Sequence, residues 1–133
     1  MLRHSPLVLI LLAGCSKPDP VCYPVDGTAE FFGKPAVGFV VEFSSQAEET
    51  KGLNASGEVQ ADGKFTLKTL INGVMKDGAV AGPHKVVVVP PPSGKGPAVI
   101  TPVPLRYGGY NTSGLTFDVN PEGGNQYRIP LAN

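Results

Sequence analysis

The chain has no tryptophan, only two cysteines and two histidines, and no excess of either charge: lysine plus arginine and aspartate plus glutamate each number 11 in 133 residues. The balanced charge excludes the basic field that draws nucleic acid, and equally an acidic solvating tail. The scarcity of histidine and cysteine excludes a structural zinc site, which takes several such ligands. Long apolar runs are missing too. The short apolar core Leu7–Leu12 falls far short of the ~20 residues that span about 30 Å of hydrocarbon. The length gives one domain with a hydrophobic core and leaves no room for a second.

What is abundant is glycine, at 17, and proline, at 14. Both depress helix and favour short strands joined by tight turns. No helix of ordinary length is expected.

The first residues carry a sharper signal. Arg3 and His4 supply a positive start, Leu7–Leu12 a short apolar block, and small residues follow, which is the layout of a cleavable secretory signal. Leu12-Ala13-Gly14-Cys15 resembles the bacterial lipobox, implying cleavage between Gly14 and Cys15 and lipidation of the Cys15 thiol. Small side chains let the chain enter a protease cleft, and the sulfur is the nucleophile that accepts diacylglycerol. One acyl chain anchors marginally, whereas two or more, at ~0.8 kcal/mol per buried methylene, hold firmly. The competing reading is an ordinary secretory signal with an incidental cysteine. The predicted organisation is a signal at 1–14, a lipidated tether at 15–22 and a β domain at 23–133. Removing the signal leaves a net charge near minus one, with His84 and Cys22 as the remaining histidine and unlipidated cysteine. Cys22 reads as a small, partly buried hydrophobe at the start of the first strand, with an intermolecular disulfide as the alternative.

Beyond the tether the apolar pattern has period two. Tyr23, Val25, Gly27, Ala29 and Phe31 share one parity, and Val37, Phe39, Val41 and Phe43 form the clearest strand. Ser44 to Ser56 reads as a polar loop or a single helical turn. Asp62-Gly63 between strand-like runs signals a hairpin, with Phe65 and Leu67 pointing inward. Asn72 to Gly82 reads as a glycine-rich passage. Val86–Val89 has central-strand character and ends at Pro90-Pro91-Pro92, which cannot continue a ladder. Ser93 to Pro104 reads as an irregular loop. Leu115, Phe117 and Val119 alternate, as do Tyr127, Ile129 and Leu131, and the two runs are expected to pair as a C-terminal hairpin. The sum is an all-β, about seven-stranded antiparallel sandwich.

Three stretches, Tyr23–Thr28 with Gly33–Ala36, Ala61–Leu67, and Gly78–Val86, together with the closing Pro104–Tyr107 and Thr112–Val119, resemble the carboxypeptidase-regulatory-like, transthyretin-like domains of bacterial envelope lipoproteins. The resemblance covers nearly all of the mature chain. It implies an immunoglobulin-like (prealbumin-like) sandwich that serves as a binding or accessory module rather than a catalyst. His84 departs from the tyrosine often found there in the family.

Chemistry is sparse. His84 shares parity with Val86 and Val88, which favours a packed histidine over a catalytic partner for Ser113 or Ser93, and no nucleophile elbow is present. Glu48, Glu49, Asp62 and Asp77 lack the dense spacing of a calcium loop. No catalytic residue, metal or cofactor is predicted. Tyr107 and Tyr110 flank Gly108-Gly109 and are the best candidates for ligand contact, since rings on a pliant loop can stack on sugar faces; the alternative is that they cap the sandwich. The expected role is a non-catalytic envelope module, membrane-bound through Cys15, facing the periplasm or exterior, with an envelope protein or glycan as partner. The rivals are a small-ligand (carbohydrate or peptide) binding protein using the Tyr107 and Tyr110 loops, and an accessory domain of an envelope enzyme system. Ser16, in place of the aspartate that retains many lipoproteins at the inner membrane, favours the outer one.

Overall fold

The computed structural model describes residues 18–91 and 103–132. The expected signal, the Gly14–Cys15 junction and most of the Ser93 to Pro104 loop lie outside the described residues. The described part contains strands β1 (Cys22–Tyr23), β2 (Asp26–Phe31), β3 (Lys34–Pro35), β4 (Val40–Ser45), β5 (Asn54–Glu58), β6 (Lys64–Thr66), β7 (Lys68–Ile71), β8 (Val74–Asp77), β9 (Ala79–Val80), β10 (Gly82–Val89), β11 (Leu115–Val119) and β12 (Gln126–Leu131). Its only helical pieces are 3-10 turns at Glu48–Thr50 and Leu105–Gly108. The protein is all-β.

A larger sheet has the order β11-β10-β4-β5-β7-β8, and a smaller one the order β12-β2-β3, with β6 also pairing β2. Alternation along the strands decides which face goes inward. Val41 and Phe43 of β4, Val86 and Val88 of β10, and Val119 of β11 meet Ala29 and Phe31 of β2, Phe65 of β6, and Ile129 and Leu131 of β12 in one buried core. The β-branched run of β10 lies between β4 and β11, as a central strand should, and ends at Val89, just before Pro90. Phe65 and Leu67 both face inward, at 2% and 0% exposure.

Four local expectations are corrected. The runs at 115–119 and 126–131 do not pair with each other: β11 pairs with β10 in the larger sheet, whereas β12 runs parallel beside β2 in the smaller one. All other strand pairings are antiparallel. The cause is Asn125. Its side chain accepts from the Asn120 amide at 2.7 Å and donates to the Asn120 carbonyl at 2.9 Å, while its own carbonyl receives the Asp26 amide at 3.0 Å. The turn is thereby closed on itself and its exit is delivered to the start of β2.

Next, Asp62-Gly63 does form a tight turn, with Gln60 and Lys64 joined at 2.8 Å, but the chain then crosses layers and β6 pairs with β2 while β5 pairs with β7. The crossing depends on Gly57, because a Cβ there would run into the Thr66 carbonyl. Third, the passage from Asn72 to Gly82 is not loop throughout. β7 and β8 form a hairpin closed by Asn72 and Gly73, at φ +49° and +79°, the left-handed pair that a two-residue type I′ turn needs. Finally, the stretch from Ser44 to Ser56, read as loop, is strand at both ends: Ser44 and Ser45 close β4, and Asn54 to Ser56 open β5.

The registers give the sandwich two distinct ends. Gly82 of β10 lies beside Val119, and His84 beside Ser45; the same end holds Asn125, Pro24 and the β7–β8 tip. Val89 pairs with Val40 at the opposite end, roughly 25 Å away along eight strand residues.

Candidate functional site

The chain enters the described domain at Pro18, and its first side-chain contact is distant in sequence. Asn72 Nδ2 donates to Asp19 Oδ1 at 2.6 Å, tying the tether to the tip of the β7–β8 hairpin. From there β1 pairs with β9, placing Cys22 opposite Val80 and Tyr23 opposite Ala79. Cys22 is half-buried and unbridged among the described residues. Burial pushes its thiol up, against the smaller opposing influences of Thr69 and Lys76, so it remains a protonated, weakly nucleophilic packing group.

The hairpin carries an unusual surface. Leu70 and Met75 are cross-strand partners, 58% and 56% exposed; Val74 is 53% exposed and Val21 of the tether 64%. Lys68 and Asp77, also cross-strand partners, form a loose ion pair at 3.9 Å.

Tyr107 and Tyr110 belong to the opposite end. Tyr107 is only 5% exposed. Its hydroxyl donates to the Ala132 carbonyl at 2.9 Å and accepts from the Ala132 amide at 3.0 Å and from Arg106 at 2.8 Å, while the guanidinium sits 4.6 Å from the ring centroid. Tyr107 therefore ties the end of β12 to the Leu105–Gly108 turn and offers no open ring face for stacking, contrary to the ligand-contact expectation for this residue. Tyr110 is half-buried, and its hydroxyl, itself buried, makes no hydrogen bond of good geometry among the described residues. Burial, with the Glu42 carboxylate nearby, pushes this phenol far up, so it stays protonated.

His84 is 2% exposed, with its ring 5.8 Å from that of Phe43. Nδ1 lies 2.9 Å from the Gly82 carbonyl, which can only accept, so Nδ1 carries the proton. Burial lowers the histidine below its ordinary value, opposed by the Gly82 bond and the Asp118 carboxylate. Ser113 does not serve it; that hydroxyl donates to the Val86 carbonyl at 2.6 Å. Ser93 lies outside the described residues. Glu48 and Glu49 are exposed on their 3-10 turn, and Asp62 accepts the Lys64 amide at 3.0 Å to cap its own turn. Among the described residues no three metal-ligating side chains of the histidine, cysteine or acidic kind converge.

An open groove of about 620 Å³ crosses β2, β6 and β12, with Asp26, Thr28, Lys64, Thr66, Gln126 and Arg128 along it. Thr66 is already bonded to Asp26 at 3.0 Å, and Arg128 reaches Glu30 at 3.5 Å. The groove holds polar groups of both signs but neither histidine nor cysteine.

Sequence reasoning missed the tether contact and the apolar hairpin. The available signal was Asn72-Gly73 between Thr69-Leu70-Ile71 and Val74-Met75, the strongest short hairpin pattern. Among the described residues no helix is long and apolar enough to cross a membrane. Comparison with family models, with curated proteins and with solved structures finds no match to this chain.

Proposed function

We propose that this protein is a lipid-anchored lipoprotein of the bacterial envelope, and that its domain is a transthyretin-like, immunoglobulin-like sandwich acting as a non-catalytic binding or structural module. The observation that carries the reading is the lipobox-like Leu12-Ala13-Gly14-Cys15 behind a short apolar block, placed directly ahead of the first strand segment at Cys22. A signal, a lipid site and a folded domain separated by a few polar residues make a compact anchored module. The buried, singly bonded His84 and the turn-capping Asp62 support a non-catalytic role, since neither joins a nucleophile or a second acid.

In this reading the tether end faces the bilayer and the Tyr110 end faces envelope components, a protein or a glycan. Ser16 after the lipid site favours the outer membrane. The test is fractionation of cells expressing the wild type and Cys15→Ala. The wild type is expected in the membrane fraction, released by detergent, and the variant in the soluble fraction. Equal membrane retention of a folded Cys15→Ala chain would overturn the anchor.

A further inference from the structure

The end of the sandwich that receives the tether carries an apolar surface with no partner inside the fold. Leu70 and Met75 stand side by side on the outward face of the β7–β8 hairpin, Val74, paired with buried Ile71, is exposed on the other face at its tip, and Val21 is exposed on the tether segment. All four are more than half exposed; Val74 and Met75 make up the tip half of the edge strand β8, whose other half carries the charges Lys76 and Asp77 that discourage docking of another strand. The tip is also held beside the tether, because Asp19 accepts a hydrogen bond from Asn72 at 2.6 Å. Four peptide steps separate Cys15 from Asp19, so they lie at most about 14 Å apart. A lipid on Cys15 thus keeps these side chains within reach of the bilayer.

We propose that the β7–β8 hairpin seats on the phospholipid surface, with Leu70, Val74 and Met75 entering the interfacial layer and fixing the orientation of the domain on its anchor. This rests on the lipid-anchor reading above. Four half-exposed side chains are too little surface to recruit the protein alone, but the anchor makes their contact intramolecular and so raises its effective concentration. The charges choose the kind of lipid surface. Lys68 is paired with Asp77 and Asp19 is bonded to Asn72, which leaves Lys76 on the hairpin and exposed Lys51 against exposed Glu48 and Glu49 on the neighbouring 3-10 turn at the same end. With no net basic patch, a neutral, zwitterionic surface suits this end better than a strongly anionic one.

The chain has no tryptophan, so a single introduced indole reports its own surroundings. The lipidated protein carrying Met75→Trp, and separately Val74→Trp should the first not fold, is reconstituted into phosphatidylcholine vesicles; Phe32→Trp, on an exposed turn at the far end, is the control. Blue-shifted emission quenched by brominated acyl chains is expected at the hairpin and not at position 32. Emission as in water from the hairpin of a folded chain would overturn the proposal, as would a shift that appears without vesicles as protein concentration rises, which means a second copy covers the face. Intact mass of the same sample separates the two failures: an unlipidated Cys15 removes the anchor itself, whereas a lipidated chain with a water-exposed indole removes only the hairpin contact.

Discussion

Asn72 holds Asp19 across 53 residues of sequence, through a hydrogen bond of 2.6 Å from a side-chain amide to a carboxylate. Asn72 also occupies the first left-handed position of the β7–β8 turn, at φ +49°. One residue therefore closes the hairpin and fastens the tether to it, which gives the start of the domain a fixed point beside its most apolar surface.

Asn72→Asp separates the two tasks. Aspartate still suits the turn, but a carboxylate facing Asp19 repels where the amide bonded. Limited proteolysis is expected to cut the segment before Cys22 faster than in the wild type, while the melting temperature changes little, because an exposed polar contact of this kind contributes about 1 kcal/mol or less. Unchanged cleavage would mean that the contact does not hold the tether in solution.

Gly27 lies opposite Phe65 in the β2–β6 register, and a Cβ at that position would enter the Phe65 ring and the Tyr127 carbonyl. Gly27→Ala is expected to lower stability by about 1–3 kcal/mol through overpacking. The denaturant midpoint should fall with its slope preserved. A neutral result would show that β6 and β12 leave more room beside β2 here.

His84 gives the fold a pH dependence of definite sign. Its folded value is depressed below 6.5 by burial, so below that value the unfolded chain binds protons more readily than the folded one. The contribution is complete above pH 6.5, declines as the pH falls toward the folded value, and reaches a lower plateau beneath it. The slope is at most about 1.4 kcal/mol per pH unit. Stability curves of wild type and His84→Gln, compared between about pH 7 and 4, should differ in slope just below 6.5; parallel curves would place His84 in water.

The two tyrosines of the far end should respond oppositely to loss of the hydroxyl. Tyr107→Phe removes the bonds to Ala132 and Arg106 and is expected to cost about 1–2 kcal/mol, with faster amide exchange at the end of β12. Tyr110→Phe removes a buried hydroxyl that has no well-formed bond, and should be neutral or slightly stabilising. Equal losses from both would mean that Tyr110 has a partner in solution.

The sequence was most legible where one strand's own alternation suffices. Phe39, Val41 and Phe43, Val86 and Val88 of β10, and the inward pair Phe65 and Leu67 are all buried as their parity requires, whereas Val37, read on the same face as Phe39, lies ahead of β4 and is 42% exposed. Pairing was less legible, because parity says which face is apolar and not which neighbour it meets. Phe117 and Ile129 alternate alike, yet they lie on different sheets, a choice made by the side chain of Asn125, whose partners are Asn120 and Pro24. Similarly, the Gly57 and Thr66 backbones approach only because the chain changes layers after Asp62-Gly63. The aromatic ligand contact was weighed from Tyr107 and Tyr110 as a pair; the hydrogen bonds of Tyr107 to Ala132 come from a contact 25 residues away that no local pattern displays. The hairpin surface, by contrast, was signalled by Asn72-Gly73.

The most direct test of the anchored-module reading is the intact mass of protein extracted from membranes, with Cys15→Ala alongside. The expected result is a chain that begins at Cys15 and carries the added mass of a diacylglycerol, with or without a further acyl chain, and a variant that lacks that mass. A soluble wild-type chain with no lipid on Cys15 would contradict the anchor and leave the sandwich without its membrane.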